Sequence, residues 1–172
     1  AGLGIPDFPV LFARFPSSLI GHGAPIILPK ISNQLDWEAE LVVVLSKGGK
    51  NISEGDALAH VAGYSVFNDA SIRDYQLRTP QWTAGKNFDD SGAFGPWLVT
   101  PDELPAGAAG LKIECRLNGE VMQSSNTGNL IFDVANTISL LSTFMTLEAG
   151  DVLVMGTPGG VGVVRDPQVW MK

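Results

Sequence analysis

The 172-residue sequence predicts a mainly β domain with a few helices, an α+β arrangement. Three observations lead there. Twenty glycines and 11 prolines impose frequent turns. Between those turns lie short runs rich in Val, Ile and Leu, such as ELVVVL, PWLVT and DVLVMG. Only one stretch, LIFDVANTISLLSTFMTL (130–147), is long and repeats apolar residues three and four apart, at Ile131, Val134, Ile138, Leu141 and Met145.

The elements follow in order. Residues 1–35 are irregular, with short strands expected at PVLFARF and GAPIILP. Leu35 to Leu45 reads as one strand, ended by Gly48-Gly49. SEGDALAHV (53–61) reads as a short helix, with Ser53 at its N-cap and Glu54 and Asp56 in the favourable first turn. GYSVFND (63–69) is a strand ending in a polar corner. IRDYQLRT (72–79) follows as one or two helical turns, and PWLVT (96–100) as a strand. LKIECRLNGEVMQ (111–123) alternates on both sides of Asn118-Gly119, the strongest short hairpin signal. After the long helix comes a last strand, DVLVMG (151–156), and the loop TPGGVG. No repeat or linker divides the chain, so residues 1–172 are expected to form a single domain. The opening alanine and closing VWMK suggest part of a longer protein.

Composition excludes several function classes. A hydrophobic fraction of 45% marks a folded domain rather than a disordered one. The net charge is −7 and no basic aromatic cluster exists, so no nucleic acid is expected as a partner. No apolar run approaches the ~20 residues of a membrane helix, so no membrane partner is expected. The single Cys115 rules out an internal disulfide framework and fits a reducing, cytoplasmic setting.

The chemistry concentrates at DWEAELVVVL (36–45). Glu38 and Glu40 stand at i and i+2, which places both on one face of a strand. Two bare carboxylates there repel each other. Hard divalent cations take such oxygens readily, with water completing the octahedron. Asp69 closes the next strand at FNDAS, and neighbouring strands would bring three carboxylates together. Spacing alone favours two solvated glutamates on a half-exposed strand. The fully apolar continuation argues for a buried strand with its charges at a cleft edge. Arg73 and Asp74 read as a structural ion pair. His60 reads as a helix-end residue, and His22 as a loop residue without an assigned role.

Four blocks in fixed order, DWEAELVVVLSKGG, GYSVFNDASIRDYQ, GKNFDDSGAFGPWLVTPDELP and GTPGGVG, resemble the fumarylacetoacetate hydrolase family over most of residues 9–165. The closest likeness is to its acylpyruvase and fumarylpyruvate hydrolase branch. The resemblance implies a mixed β-roll, usually a homodimer, that binds Mg2+ or Mn2+ through Glu38, Glu40 and Asp69. It further implies Lys86 as a catalytic cation beside the metal. Gln76, Gly156 and Thr157 would contact a small 2-oxo acid substrate, with Arg14 as an additional anion contact. The family's usual base, a His/Glu pair on a lid, has no H-x-x-E counterpart in this chain.

The activity this implies is hydrolysis of a carbon–carbon bond in an acylpyruvate-type 2-oxo acid through a stabilised enolate. The same machinery serves oxaloacetate decarboxylation or keto–enol isomerisation of the 2-hydroxymuconate type. A non-catalytic β domain with a structural cation site is the alternative from a different class. A two-carboxylate glycosidase is disfavoured, because carboxyls at i and i+2 do not face each other across a sugar.

Overall fold

A computed structural model describes residues 6–172. Nine strands form among the described residues: β1 (Leu19–Gly21), β2 (Leu35–Asp36), β3 (Ala39–Leu45), β4 (Val61–Asp69), β5 (Ser71–Ile72), β6 (Gly92–Phe94), β7 (Lys112–Leu117), β8 (Glu120–Asn126) and β9 (Val152–Val154). Four α-helices accompany them: α1 (Glu54–Ala57), α2 (Arg73–Gln76), α3 (Thr83–Lys86) and α4 (Val134–Phe144). The principal sheet has the order β1-β6-β4-β3-β9, with β1 and β6 parallel and the other neighbours antiparallel. The expected mixed, mainly β architecture is what forms.

The core lies between β3 and the long helix. Leu41, Val43 and Leu45 alternate along β3 and pack with Val134, Ile138 and Leu141 of α4. Helix α4 contains Thr137, Ile138, Ser139 and Thr143, none a strong helix former. Its three buried apolar side chains each contribute about 1.5–3 kcal/mol, more than that propensity deficit. Asp133 accepts from the Asn136 N–H and starts the helix there. The helix is therefore shorter than its apolar pattern suggests. Ile131 and Met145 lie outside it and are exposed. Ser53 caps α1 as its position predicted, and the 53–61 segment divides into α1 and a 3-10 turn ending at His60.

Other strand expectations need correction. PVLFARF and GAPIILP form no strand. Pro9, Pro16, Pro25 and Pro29 supply no N–H to a ladder. Between residues 9 and 29 the one strand that forms is the three-residue β1, which pairs with β6. PWLVT contributes only a single bridge, Val99 to Tyr64, between two prolines. Leu35–Leu45 is not one strand but β2 and β3, interrupted at Trp37 and Glu38. The facing strand is interrupted at Ala70, between β4 and β5. The antiparallel register is the same on both sides of the gap, which puts Glu38 opposite Asp69. The Asp69 N–H still donates to the Glu38 carbonyl at 2.9 Å. The ladder opens where the carboxylates sit.

Candidate metal centre

Like charges directly opposite on paired strands are destabilising. Here they are bridged. Lys86, at the end of α3 and only 1% exposed, donates from Nζ to Glu38 Oε2 at 2.8 Å and to Asp69 Oδ2 at 2.7 Å. Gly85 lets this happen: a Cβ there would collide with the backbone and Cβ of Gln76, so α3 packs directly on α2. Arg14 Nη1 donates to Asp69 Oδ1 at 3.0 Å and its Nη2 to Ser91 Oγ at 3.0 Å. Arg73 Nη1 donates to Glu38 Oε1 at 2.6 Å and to Gln76 Oε1 at 2.7 Å, while its Nε donates to Asp36 Oδ2 at 2.8 Å. The expected Arg73–Asp74 pair does not form; Asp74 accepts instead from Ser32 Oγ at 2.6 Å. On the short helix α2 adjacent residues point apart, so Arg73 turns inward to two carboxylates.

Four carboxylates, Asp36, Glu38, Glu40 and Asp69, thus meet three cations, Arg14, Arg73 and Lys86. The uncompensated charge falls on Glu40. Its Oε2 accepts only from a neutral donor, the Gly156 N–H. Burial, with Asp69 and Glu38 nearby, pushes the Glu40 carboxyl well above the usual carboxylate range. Burial also raises Glu38, but Lys86 and Arg73 outweigh it and hold that group below its ordinary value. Asp69 stays raised because burial and Glu38 exceed the help from Lys86 and Arg14.

The donor set suits a hard divalent cation. One oxygen from each of Glu38, Glu40 and Asp69 lies within 4.8 Å of the others. Two oxygens on one octahedral Mg2+ stand roughly 3–4 Å apart, so only a small contraction is required. Each oxygen of Glu38 and Asp69 is engaged by a cation but keeps a second lone pair. A bound divalent cation would more than offset the deficit of one positive charge and so leave charge for an anionic ligand.

All eight residues singled out from the sequence line one cleft of about 1790 Å³: Arg14, Glu38, Glu40, Asp69, Gln76, Lys86, Gly156 and Thr157. Phe12 and Trp82 form part of its wall, with Phe12 5.0 Å from Lys86 Nζ and 5.9 Å from Trp82 between ring centres. Arg14 is turned onto Asp69, Ala70 and Ser91, so it orients the Asp69 carboxylate rather than reaching freely into the cleft. Gln76 has a defined polarity. An arginine only donates, so the oxygen faces Arg73 and the NH2 group is left as a donor.

Two residues of this network, Asp36 and Gln123, were not singled out from the sequence, and a third was misread. Arg73 was assigned to the wrong partner. Asp36 is fully buried; it accepts from Arg73 and from the Trp37, Gly162 and Val163 N–H groups. It joins the glycine-rich loop to the metal-ligand frame. The D-x-E-x-E spacing of residues 36–40 carried that signal, a third carboxylate in the same alternation. Gln123 on β8 had no such signal, sitting among apolar and small neighbours.

Fold and site together define a class: a mixed β-roll whose acidic cleft suits a hard cation and an anionic ligand. The chain belongs to the fumarylacetoacetate hydrolase family, whose domain described as "Fumarylacetoacetate (FAA) hydrolase C-terminal" matches residues 2–172. It is 47% identical over 169 residues to a protein of Rattus norvegicus named oxaloacetate tautomerase Fahd2a, mitochondrial, covering 98% of this chain and 54% of that one. It is 44% identical over 165 residues to an uncharacterized protein of Archaeoglobus fulgidus, covering 96% and 64% respectively. Among solved structures, a fumarylacetoacetate hydrolase from Exiguobacterium antarcticum superposes with a TM-score of 0.90 at 40% identity, covering 95% of this chain and 58% of that one. The 5-carboxymethyl-2-hydroxymuconate delta-isomerase of Mycobacterium smegmatis gives 0.85 at 34%, covering 91% and 61%. The chain spans about half the length of the mammalian relatives it matches. No helix among the described residues is long and apolar enough to cross a membrane.

Proposed function

We propose that this chain carries metal-dependent enolate chemistry on a small 2-oxo acid, with keto–enol tautomerisation of an oxaloacetate-type dicarboxylate as its reaction. The observation that carries this reading is the Lys86 ammonium held between Glu38 and Asp69, beside the uncompensated Glu40. Glu38, Glu40 and Asp69 would hold Mg2+ or Mn2+. A bound cation would supply Lewis-acid charge to the 2-oxo and carboxylate oxygens of the substrate.

The chain's own residues would do the rest. Two of the three Lys86 N–H groups are engaged by carboxylates, and the third meets only the Asp69 carbonyl at 3.5 Å. That donor is available to an oxygen gaining negative charge. Gln76 and Thr157 offer further donors to the carboxylate. Phe12 and Trp82 exclude water from the Lys86 side. Tautomerisation moves one proton from carbon to oxygen and requires no second substrate.

Relatives bearing tautomerase and isomerase names favour this reaction over the carbon–carbon hydrolysis expected from the motif blocks. Hydrolysis of an acylpyruvate remains the second reading, favoured by the likeness to the Exiguobacterium hydrolase. Oxaloacetate, acetylpyruvate and fumarylpyruvate, each assayed with Mg2+, Mn2+ or EDTA, separate the two. Enol–keto conversion of oxaloacetate that vanishes in EDTA supports the first. Pyruvate release from an acylpyruvate, without effect on oxaloacetate, selects the second. Glu40→Gln should weaken Mg2+ binding by calorimetry at least as much as loss of an outer-shell partner does, roughly 10- to 100-fold. Unchanged Mg2+ affinity in that variant removes the metal site and the reaction with it.

A further inference from the structure

The loop 156–162 reaches the cleft with Thr157, for which the family resemblance implies a contact with the substrate. A hydroxyl carries one proton and can serve as donor or acceptor. What sets its direction here is a residue outside the cleft. Gln123, on β8, is 1% exposed and makes three hydrogen bonds. Its Oε1 accepts from the Ala39 N–H at 2.9 Å. Its Nε2 donates to the Pro158 carbonyl at 2.7 Å and to Thr157 Oγ1 at 2.8 Å.

The backbone partners allow only this orientation of the amide. An N–H must face Oε1 and a carbonyl must face Nε2. Thr157 Oγ1 is therefore always an acceptor toward Gln123, and its own proton must go elsewhere. It now goes to the Ala39 carbonyl at 3.0 Å, one residue from Glu40. The loop packs tightly on this strand. A Cβ on Gly160 would collide with the Met122 carbonyl and lie 3.4 Å from Gln123 Cα, and Arg165 Nη2 donates to the same carbonyl at 2.6 Å.

We propose that Gln123 is a positioning residue that fixes Thr157 Oγ1 at the cleft and leaves its proton free to be donated to the anionic ligand. The inference rests on the reading of the cleft as a 2-oxo acid site. The Thr157 proton rotates from the Ala39 carbonyl to the ligand carboxylate, while Gln123 keeps the oxygen in place. With Gln76 held as a donor by Arg73, Gln76 and Thr157 can then each present a donor to the ligand. Paired donors of this kind suit the oxygens of a carboxylate.

The test is a double-mutant cycle in the full-length protein with Gln123→Met, Thr157→Val and the double variant. KM and kcat for oxaloacetate, Mg2+ affinity and thermal stability are measured for each. Gln123→Met should raise KM roughly 10- to 100-fold, the worth of a hydrogen bond to a charged group, with Mg2+ affinity within about twofold. The double variant should be no worse in KM than Thr157→Val alone. A purely structural staple predicts lowered stability with unchanged KM in the folded protein, or multiplicative effects in the double variant, and either result overturns the proposal. Absence of wild-type turnover would sink the reaction, not this inference. In that event oxalate, a chelating dianion, replaces the substrate in calorimetry with Mg2+-loaded protein. Oxalate affinity must then show the same dependence on Gln123, and failure of the wild type to bind it overturns the inference as well.

Discussion

Arg73 reaches three functional side chains at once, so its loss separates the roles of charge and shape. Arg73→Met keeps most of the volume but leaves Asp36 and Glu38 buried without their shared cation. Removal of one partner from a buried pair costs about 3–5 kcal/mol, and urea unfolding of the metal-free protein should show a loss of that order. A second consequence concerns Glu40. A carboxyl raised in the folded state keeps its proton over a range in which the unfolded chain has already released it. Stability then falls as pH rises above the ordinary glutamate value of about 4.3. Asp69 acts in the same direction, whereas the lowered Glu38 acts only below that range. Between roughly pH 5 and 7 the melting temperature in EDTA should therefore decline, and Mg2+ should abolish the decline. Glu40→Gln should flatten the EDTA profile, and a profile that rises instead would contradict the assignment of Glu40 as the uncompensated charge.

At the scale of elements, the site depends on where ladders stop. β2–β5 and β3–β4 share one register, and their interruption lets Glu38 and Asp69 turn toward Lys86. Asn68 Oδ1 accepts the Glu38 N–H at 3.0 Å and so closes part of the gap. The contact of α3 with α2 is equally specific. Gly85→Ala would force Lys86 and Gln76 apart, at a cost of about 1–3 kcal/mol for an overpacked contact. Chemical denaturation measures that cost. Loss of Mg2+-dependent turnover beyond the loss of folded protein would show that the helix contact positions Lys86. The alternation of β3 and the Asn118-Gly119 turn were legible because each is local. The β2–β3 interruption was not, since nothing in LDWEAELVVVL marks the place where the partner strand also stops.

At the scale of the molecule, the expected homodimer becomes a proposal with a definite face. Trp97 is 73% exposed, and Val66 and Leu98 are also exposed. We propose that this apolar face pairs two copies of the chain. Trp97→Asp should convert a dimer to a monomer in light scattering while leaving Mg2+ affinity within about twofold, because Trp97 does not line the cleft. A wild-type monomer, or an unaffected dimer in the variant, excludes this face.

The sequence by itself determined the mainly β class, the hairpin and the N-cap of α1, and put Glu38 and Glu40 on one strand face, because alternation, turn chemistry and capping are read over a few neighbouring residues. The order of its motif blocks pointed to Asp69, Lys86, Gln76, Gly156 and Thr157, all of which line the cleft. Only the tertiary structure decided that Arg73 serves Asp36 and Glu38 rather than Asp74. The same holds for Gln123, which holds Thr157 from 34 residues away in sequence. Both follow from hydrogen bonds between distant segments, and a buried donor or acceptor is paired by whatever the fold brings beside it rather than by its neighbours along the chain.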